Sequence, residues 1–208
     1  MIDALRKELL KVLSEVDHVP STYPISNLLR EFARTNPQII EVIGDKIVFM
    51  DRIGIAKALY GMGASIREIL RALNWRDLED YVRLVLEVNG FRSVRGIKFR
   101  TVKGFREIDV VGFRDNMILC VECKHFKKID RNMLASTARR LATKSFEYLS
   151  MQRSRGFKKA VPLIVTSAPL KYDHAPYGIP VLNASSLPMF VANLEKFLNK
   201  ILVLEAIG

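Results

Sequence analysis

Apolar residues recur at helical spacing from the start of the chain: Ile2, Leu5, Leu9, Val12, Leu13 and Val16 share one face of a helix predicted over 2–16. Pro20 interrupts the pattern. Pro24 is placed for the first turn of a second helix that runs to about Arg34, with Ile25, Leu28, Leu29 and Phe32 inward. Two β-rich runs follow, Ile39 to Ile43 and Lys46 to Met50, and the Gly44-Asp45 pair between them signals a hairpin. Helices of about 53–61 and 66–73 come next, joined through Gly61-Met62-Gly63, the second opened by the capping box Ser65-x-x-Glu68. Helices followed by a hairpin suggest a winged-helix-like α+β module over 1–74. The closing helix pair resembles a helix-turn-helix, a pattern also common in small α domains. Dimerisation, substrate positioning and structural support are all open as its role.

From Trp75 the periodicity changes. A helix over 76–89 carries Leu78, Val82, Val85 and Leu86 on one face and ends at Asn89-Gly90, a left-handed cap. Strand-like runs at about 92–100, 105–113 and 117–124 follow in quick succession. After them come a helix over about 131–152, the apolar strand Val161 to Thr166, a loop rich in Pro, Tyr and His, and a short strand near Ile179 to Leu182. A last helix is expected from about Ser186, with Leu187, Phe190, Val191, Leu194 and Leu198 inward. Strands that first meander and then alternate with helices predict a mixed sheet flanked by helices, an α/β domain over 75–208.

Composition narrows the class. With 208 residues, 49% hydrophobic and 26% charged, the chain can bury a real core and is neither disordered nor a disulfide scaffold. Its apolar runs fall far short of the ~20 residues that span a bilayer, and its N-terminus lacks a signal-peptide core, so the expectation is a soluble cytoplasmic protein. Its net charge of +11 is unevenly spread. Residues 1–75 hold 10 Lys/Arg against 9 Asp/Glu, whereas 92–159 hold 18 against 6. A polyanionic partner, DNA first, is expected on the second domain, with Arg95, Lys98, Arg100, Lys103, Arg106, His125, Lys127, Lys128 and Arg131 as candidate phosphate contacts.

The run Met117 to Lys124 reads as a buried strand, yet it ends in Glu122 and Lys124, and buried charge demands a reason. Residues two apart on a strand share a face, so Glu122 and Lys124 stand together while Cys123 faces away. Asp109 interrupts the apolar run Ile108 to Val111, and the short connection Arg114-Asp115-Asn116 predicts a hairpin that brings Asp109 beside Glu122. Two carboxylates can hold a hard cation such as Mg²⁺ or Mn²⁺, and the lysine can orient or help deprotonate an attacking water. Phosphodiester hydrolysis needs these parts and a basic surface beside them. A satisfied buried ion-pair network is the structural alternative.

Asp109, then twelve residues, then Glu122-Cys123-Lys124, preceded by an amphipathic helix carrying Glu79, resembles the PD-(D/E)XK nuclease superfamily. The resemblance covers about Trp75 to Leu194. Within it, Leu78-Glu79-Asp80-Tyr81 through Asn89-Gly90-Phe91 is similar to the opening of Mrr-like restriction endonucleases and archaeal Holliday-junction resolvases. It implies a restriction endonuclease-like fold and a metal-dependent DNA endonuclease, expected as a homodimer because cutting both strands needs two active sites. Asp109 and Glu122 would be metal ligands with the Cys123 backbone carbonyl, Lys124 would orient the water, and Glu79 would complete the acidic site. Ile108 stands where the motif's proline would be. The helix over 131–152 lacks the glutamine found there in several subfamilies, Gln152 lying only at its end. An inactive DNA-binding protein on the same fold and an RNA-processing nuclease remain as alternatives. Cys120-x-x-Cys123 is set aside as a metal motif, since strand residues three apart face opposite sides and no second cysteine pair exists.

Overall fold

The N-terminal apolar stripe folds as α1 (Ile2–Glu15), with Leu9, Val12 and Leu13 fully buried. The computed structural model describes residues 1–16, 18–124, 130–167, 170 and 173–206, the Trp75 side chain excepted, and divides into two units, Met1–Asp77 and the chain from Leu78 onward.

In the first unit α1 is followed by β1 (Ser21–Pro24), α2 (Asn27–Thr35), β2 (Ile40–Ile43), β3 (Lys46–Phe49), α3 (Arg52–Gly61) and α4 (Ile66–Ala72). The strands form an antiparallel sheet in the order β1-β3-β2, and Gly44 takes the left-handed conformation that the β2–β3 turn requires. The Ser65–Glu68 capping box forms as expected. Pro24 does not open a helix. It ends β1, an edge strand in which a missing N–H breaks no inner ladder, and the second helix starts later because the Ser26 hydroxyl accepts the Leu29 N–H at 3.1 Å.

Helix α5 (Trp75–Val88) opens the α/β part and ends where Gly90 turns left-handed. It leads into β4 (Arg92–Thr101), β5 (Gly104–Arg114), β6 (Met117–Lys124), α6 (Arg131–Gln152), β7 (Lys159–Thr166), β8 (His174–Ala175), β9 (Ile179–Asn183), α7 (Leu187–Ala192) and β10 (Leu204–Glu205). Among the described residues these strands form a seven-stranded mixed sheet in the order β4-β5-β6-β7-β9-β8, with β10 also paired to β7. The strands β4, β5 and β6 meander antiparallel, and β6, β7 and β9 run parallel.

Helix α6 lays Leu134, Ala138, Leu141, Tyr148 and Leu149, a stripe of period 3.6, over Val111, Ile118, Cys120 and Ile164 of the sheet. Helix α5 buries Leu78, Val82 and Leu86. Gly112 of β5 allows close approach there, since a Cβ would lie 2.9 Å from Leu86 Cδ1 and 3.1 Å from Phe91 Cδ1. The last expected helix is only six residues long. The Asn193 amide donates to the Met189 carbonyl at 3.0 Å, a local bond that competes with helix continuation, and 3₁₀ turns come after it. No helix of the described residues is long and apolar enough to cross a membrane.

Candidate active site at the end of the central strands

Strand β6 has neighbours on both edges and buries every residue from Met117 to Glu122, which is why its apolar run shows no alternation. Glu122 alternates with Ile118 and Cys120, which belong to the core under α6, so its side chain rises on the α6 side. The register Val110↔Val121, continued one step, sets Asp109 opposite Glu122. There Asp109 Oδ2 accepts the Cys123 N–H at 2.8 Å, which fixes the carboxylate across the strand end.

Both oxygens of Glu122 are held by ammonium groups. Lys124 Nζ lies 2.7 Å from Oε1, and Lys144 Nζ, from α6, lies 2.5 Å from Oε2. Burial alone would raise the Glu122 pKa, but Lys144 and then Lys124 outweigh it and hold the carboxyl below its usual range. Asp109 goes the other way. Burial and the Glu122 charge raise it, against the Cys123 N–H and Lys124. Glu79, on the first turns of α5, is pushed up to about 7 by burial and then by the Asp109 charge, with Arg95 Nε at 3.8 Å opposing. The cluster thus divides into a carboxylate kept ionised by two lysines and two acids with too little positive charge near them.

This division makes stability depend on pH. The folded-state pKa of Glu79, about 7, lies above its ordinary 4.5, so its contribution to stability is fully present below pH 4.5 and is lost as pH rises through 7. In chelator, Glu79→Gln is expected to melt higher than wild type at pH 8, by about 2–4 °C for an effect of about 1 kcal/mol, and to match it near pH 4.5. A variant that melts lower at pH 8 would show that Glu79 is stabilised as the anion. Thermal melts at the two pH values decide it.

Burial drives the Cys120 thiol up to about 12, and burial with the surrounding carboxylates drives Cys123 well above its usual value. Both shifts hold the thiols protonated at neutral pH, which disfavours a thiolate nucleophile.

The expected basic contacts are placed unequally. Arg95 reaches back to α5, where Nη1 meets Asp80 at 2.6 Å, so Asp80 anchors it. Arg106 is tied to Glu147 of α6 at 3.2 Å, and Lys98 lies 3.9 Å from Glu107. Arg100 sits over the Phe105 ring, and Lys103 occupies the β4–β5 turn. Arg131 is exposed at the start of α6. His125, Lys127 and Lys128 lie outside the described residues. Sequence reading misses Lys144. The available signal is its position three residues after Leu141 and four before Tyr148, which puts a cation at the border of an apolar stripe facing a strand that ends in glutamate.

No protein-family model matches the chain, and no curated protein sequence matches it. Among solved structures it is similar to a protein of unknown function, AF1548, with 22% identity over 59% of this chain and 67% of that one and a TM-score of 0.40. Protein VC1899 from Vibrio cholerae gives 13% identity over 96% and 51%, with a TM-score of 0.39. Can2 from Sulfobacillus thermosulfidooxidans, in complex with cyclic tetra-adenylate, gives 14% over 95% and 52%, with a TM-score of 0.40. The small subunit of the heterodimeric restriction endonuclease R.BspD6I gives 12% over 58% and 78%, with a TM-score of 0.31. The chain spans about half the length of the second and third of these. Overlap this partial carries no function across, and the site has to be read from its own residues.

Proposed function

We propose that this protein is a metal-dependent DNA endonuclease of the PD-(D/E)XK type that hydrolyses phosphodiester bonds at the cluster of Glu79, Asp109, Glu122 and Lys124. The winged-helix-like first unit would act as an accessory module, and the working form would be a dimer that presents two sites to a duplex. The observation that carries the reading is the juxtaposition at one strand end of Asp109, Glu122 and Lys124, within a stretch that holds 18 basic against 6 acidic residues.

A hard divalent cation fits these donors. Mg²⁺ is characteristically bound through one or two carboxylates, with water and phosphate completing its shell. Among the described residues no group of three His, Cys, Asp or Glu side chains forms a ready-made cage, but two carboxylates and a carbonyl suffice for that mode. Burial, and then the neighbouring carboxylate charge, raise Asp109 and Glu79, and a cation bound at the cluster would offset both effects. Asp109 and Glu122 would hold the ion with the Cys123 carbonyl, and when bound it would supply an acidified water and charge neutralisation at the phosphoryl oxygens.

The chain's own groups do the rest. Lys124 presents an ammonium 2.7 Å from Glu122 and can donate to a water or a phosphoryl oxygen at the same place. Lys144 keeps Glu122 ionised and fixed in direction from α6. The basic surface holds the nucleic-acid backbone against the local negative charge of the cluster.

The test is a panel of end-labelled linear duplex, four-way junction, single-stranded DNA and structured RNA, incubated with Mg²⁺, Mn²⁺ or chelator. The expected result is cleavage of a DNA substrate that depends on the metal. Binding without cleavage under every condition would favour a DNA-binding protein on this fold. Preferential cutting of RNA would move the substrate class.

A further inference from the structure

The β4–β5 ribbon outruns the sheet that carries it. Its pairing extends from Arg92↔Phe113 to Thr101↔Gly104, whereas β6 pairs only with Val110 to Arg114 of β5. On the distal part, Phe99 meets the Tyr148 ring at 5.1 Å and Arg106 meets Glu147, so α6 supports the ribbon that far. Beyond this the tip projects, and it is chemically unusual. Val102 is fully exposed at 103% and Phe105 is 76% exposed, while Lys98 to Arg106 contains four basic residues and no acidic one. Arg100 lies 5.7 Å from the Phe105 ring centroid, so an aromatic face is held beside a cation.

The ribbon springs from the candidate active site. Asp109 is the residue just outside the β6 pairing. On β4, the position between the pairs Arg95↔Val110 and Ile97↔Ile108 is Gly96, with φ +62°. A left-handed glycine inside a strand changes the direction of the residues beyond it. Gly104 is five residues from Asp109, a reach of about 17 Å at ~3.4 Å per residue, which matches half a turn of B-form DNA, about 17 Å of a ~34 Å repeat.

We propose that the β4–β5 tip enters a groove of duplex DNA about half a helical turn from the scissile phosphate, with Arg100 and Lys103 on the backbone and Phe105 and Val102 wedged against a base step. The inference rests on the reading of this unit as acting on DNA. Apolar wedges flanked by cations are how proteins unstack and bend duplexes, and a two-stranded ribbon fits a ~12 Å groove. A bare apolar tip would suit many partners. Here the apolar pair is flanked by Arg100 and Lys103, a combination that fits a polyanion with stackable faces.

The test uses the full chain in chelator, so that binding is measured without cleavage, on a 30-base-pair duplex carrying 2-aminopurine. Wild type is expected to bind with a rise in 2-aminopurine emission as a step unstacks. Val102→Ser with Phe105→Ser is expected to melt like wild type, to bind five- to a hundredfold more weakly and to lose the emission rise. A double variant that binds and unstacks like wild type would overturn the proposal and leave the nuclease reading untouched. Tip-dependent unstacking with no cleavage of any substrate in Mg²⁺ would do the reverse. Wild type that ignores the duplex, but loses binding to phosphatidylglycerol vesicles when the tip is changed, would overturn it in favour of a membrane surface.

Discussion

Asp109→Asn is expected to slow Mg²⁺-dependent DNA cleavage by roughly a thousandfold, because the amide removes one of the two anionic donors that would hold the metal ion. The substitution is nearly isosteric. Its remaining oxygen can still accept the Cys123 N–H that Asp109 takes at 2.8 Å, so the melting temperature and duplex affinity in chelator should hold. Glu122→Gln is expected to be as inactive but less stable, since it removes the carboxylate charge that Lys124 and the mostly buried Lys144 both contact. Lys144→Gln should cost less, about 10–100-fold, because it acts through Glu122 rather than on the reacting atoms. Single-turnover cleavage beside thermal melts separates these cases. An Asp109→Asn protein that cuts at the wild-type rate would sink the site assignment.

The second large effect lies in the first unit and concerns stability. Arg52 is buried, with Nε 3.0 Å from both Asp77 oxygens and Nη2 2.8 Å from Oδ2. The same Nη2 donates to the Leu13 carbonyl at 2.7 Å and to the Ala72 carbonyl at 3.4 Å. One guanidinium therefore ties the ends of α1 and α4 to the start of α5, where Asp77 also accepts the Asn74 N–H at 2.7 Å. Arg52→Ala strands a buried carboxylate and two carbonyls, and is expected to cost about 3–5 kcal/mol. Against a total stability of about 5–15 kcal/mol, that opens the unit measurably. Hydrogen exchange should show α1 and α4 amides losing protection. Exchange as slow as in wild type would show that the pair contributes only specificity. Arg52 Nη1 has no hydrogen-bond partner among the described residues, so the network is not fully satisfied even in wild type.

How much of this is legible in sequence depends on how local its cause is. The strand Met117 to Lys124 announces Glu122 and Lys124, because an apolar run that ends in charge is a local anomaly, and β6 is buried as expected. Asp109 is reachable in one more step, through the hairpin at Arg114-Asp115-Asn116, and the observed register agrees. Lys144 is harder to single out, since the border of an apolar stripe is an ordinary place for a solvated lysine. Only the docking of α6 over the β6 end gives it Glu122 as a neighbour. Arg95 has the sequence context of a phosphate contact, yet its first partners are Asp80 and Glu79, fifteen and sixteen residues earlier on a helix. The Pro24 discrepancy is of another kind, two local signals in competition, with the Ser26 cap setting the helix start.

Periodicity, turn chemistry and charge placement by themselves determined the order of the longer elements, though not β1, β8 or β10, together with the mixed sheet, the basic stretch 92–159 and the acidic pair with its lysine, because each arises from interactions within a few residues or one hairpin. Tertiary structure alone decided which cations are committed. Lys144 goes to Glu122, Arg106 to Glu147 and Arg52 to Asp77, pairs separated by 22, 41 and 25 residues. It also decided that the β4–β5 tip stands clear of the sheet with Val102 and Phe105 bare. Burial and long-range charge compensation exist only once elements are packed, so no window of sequence contains them.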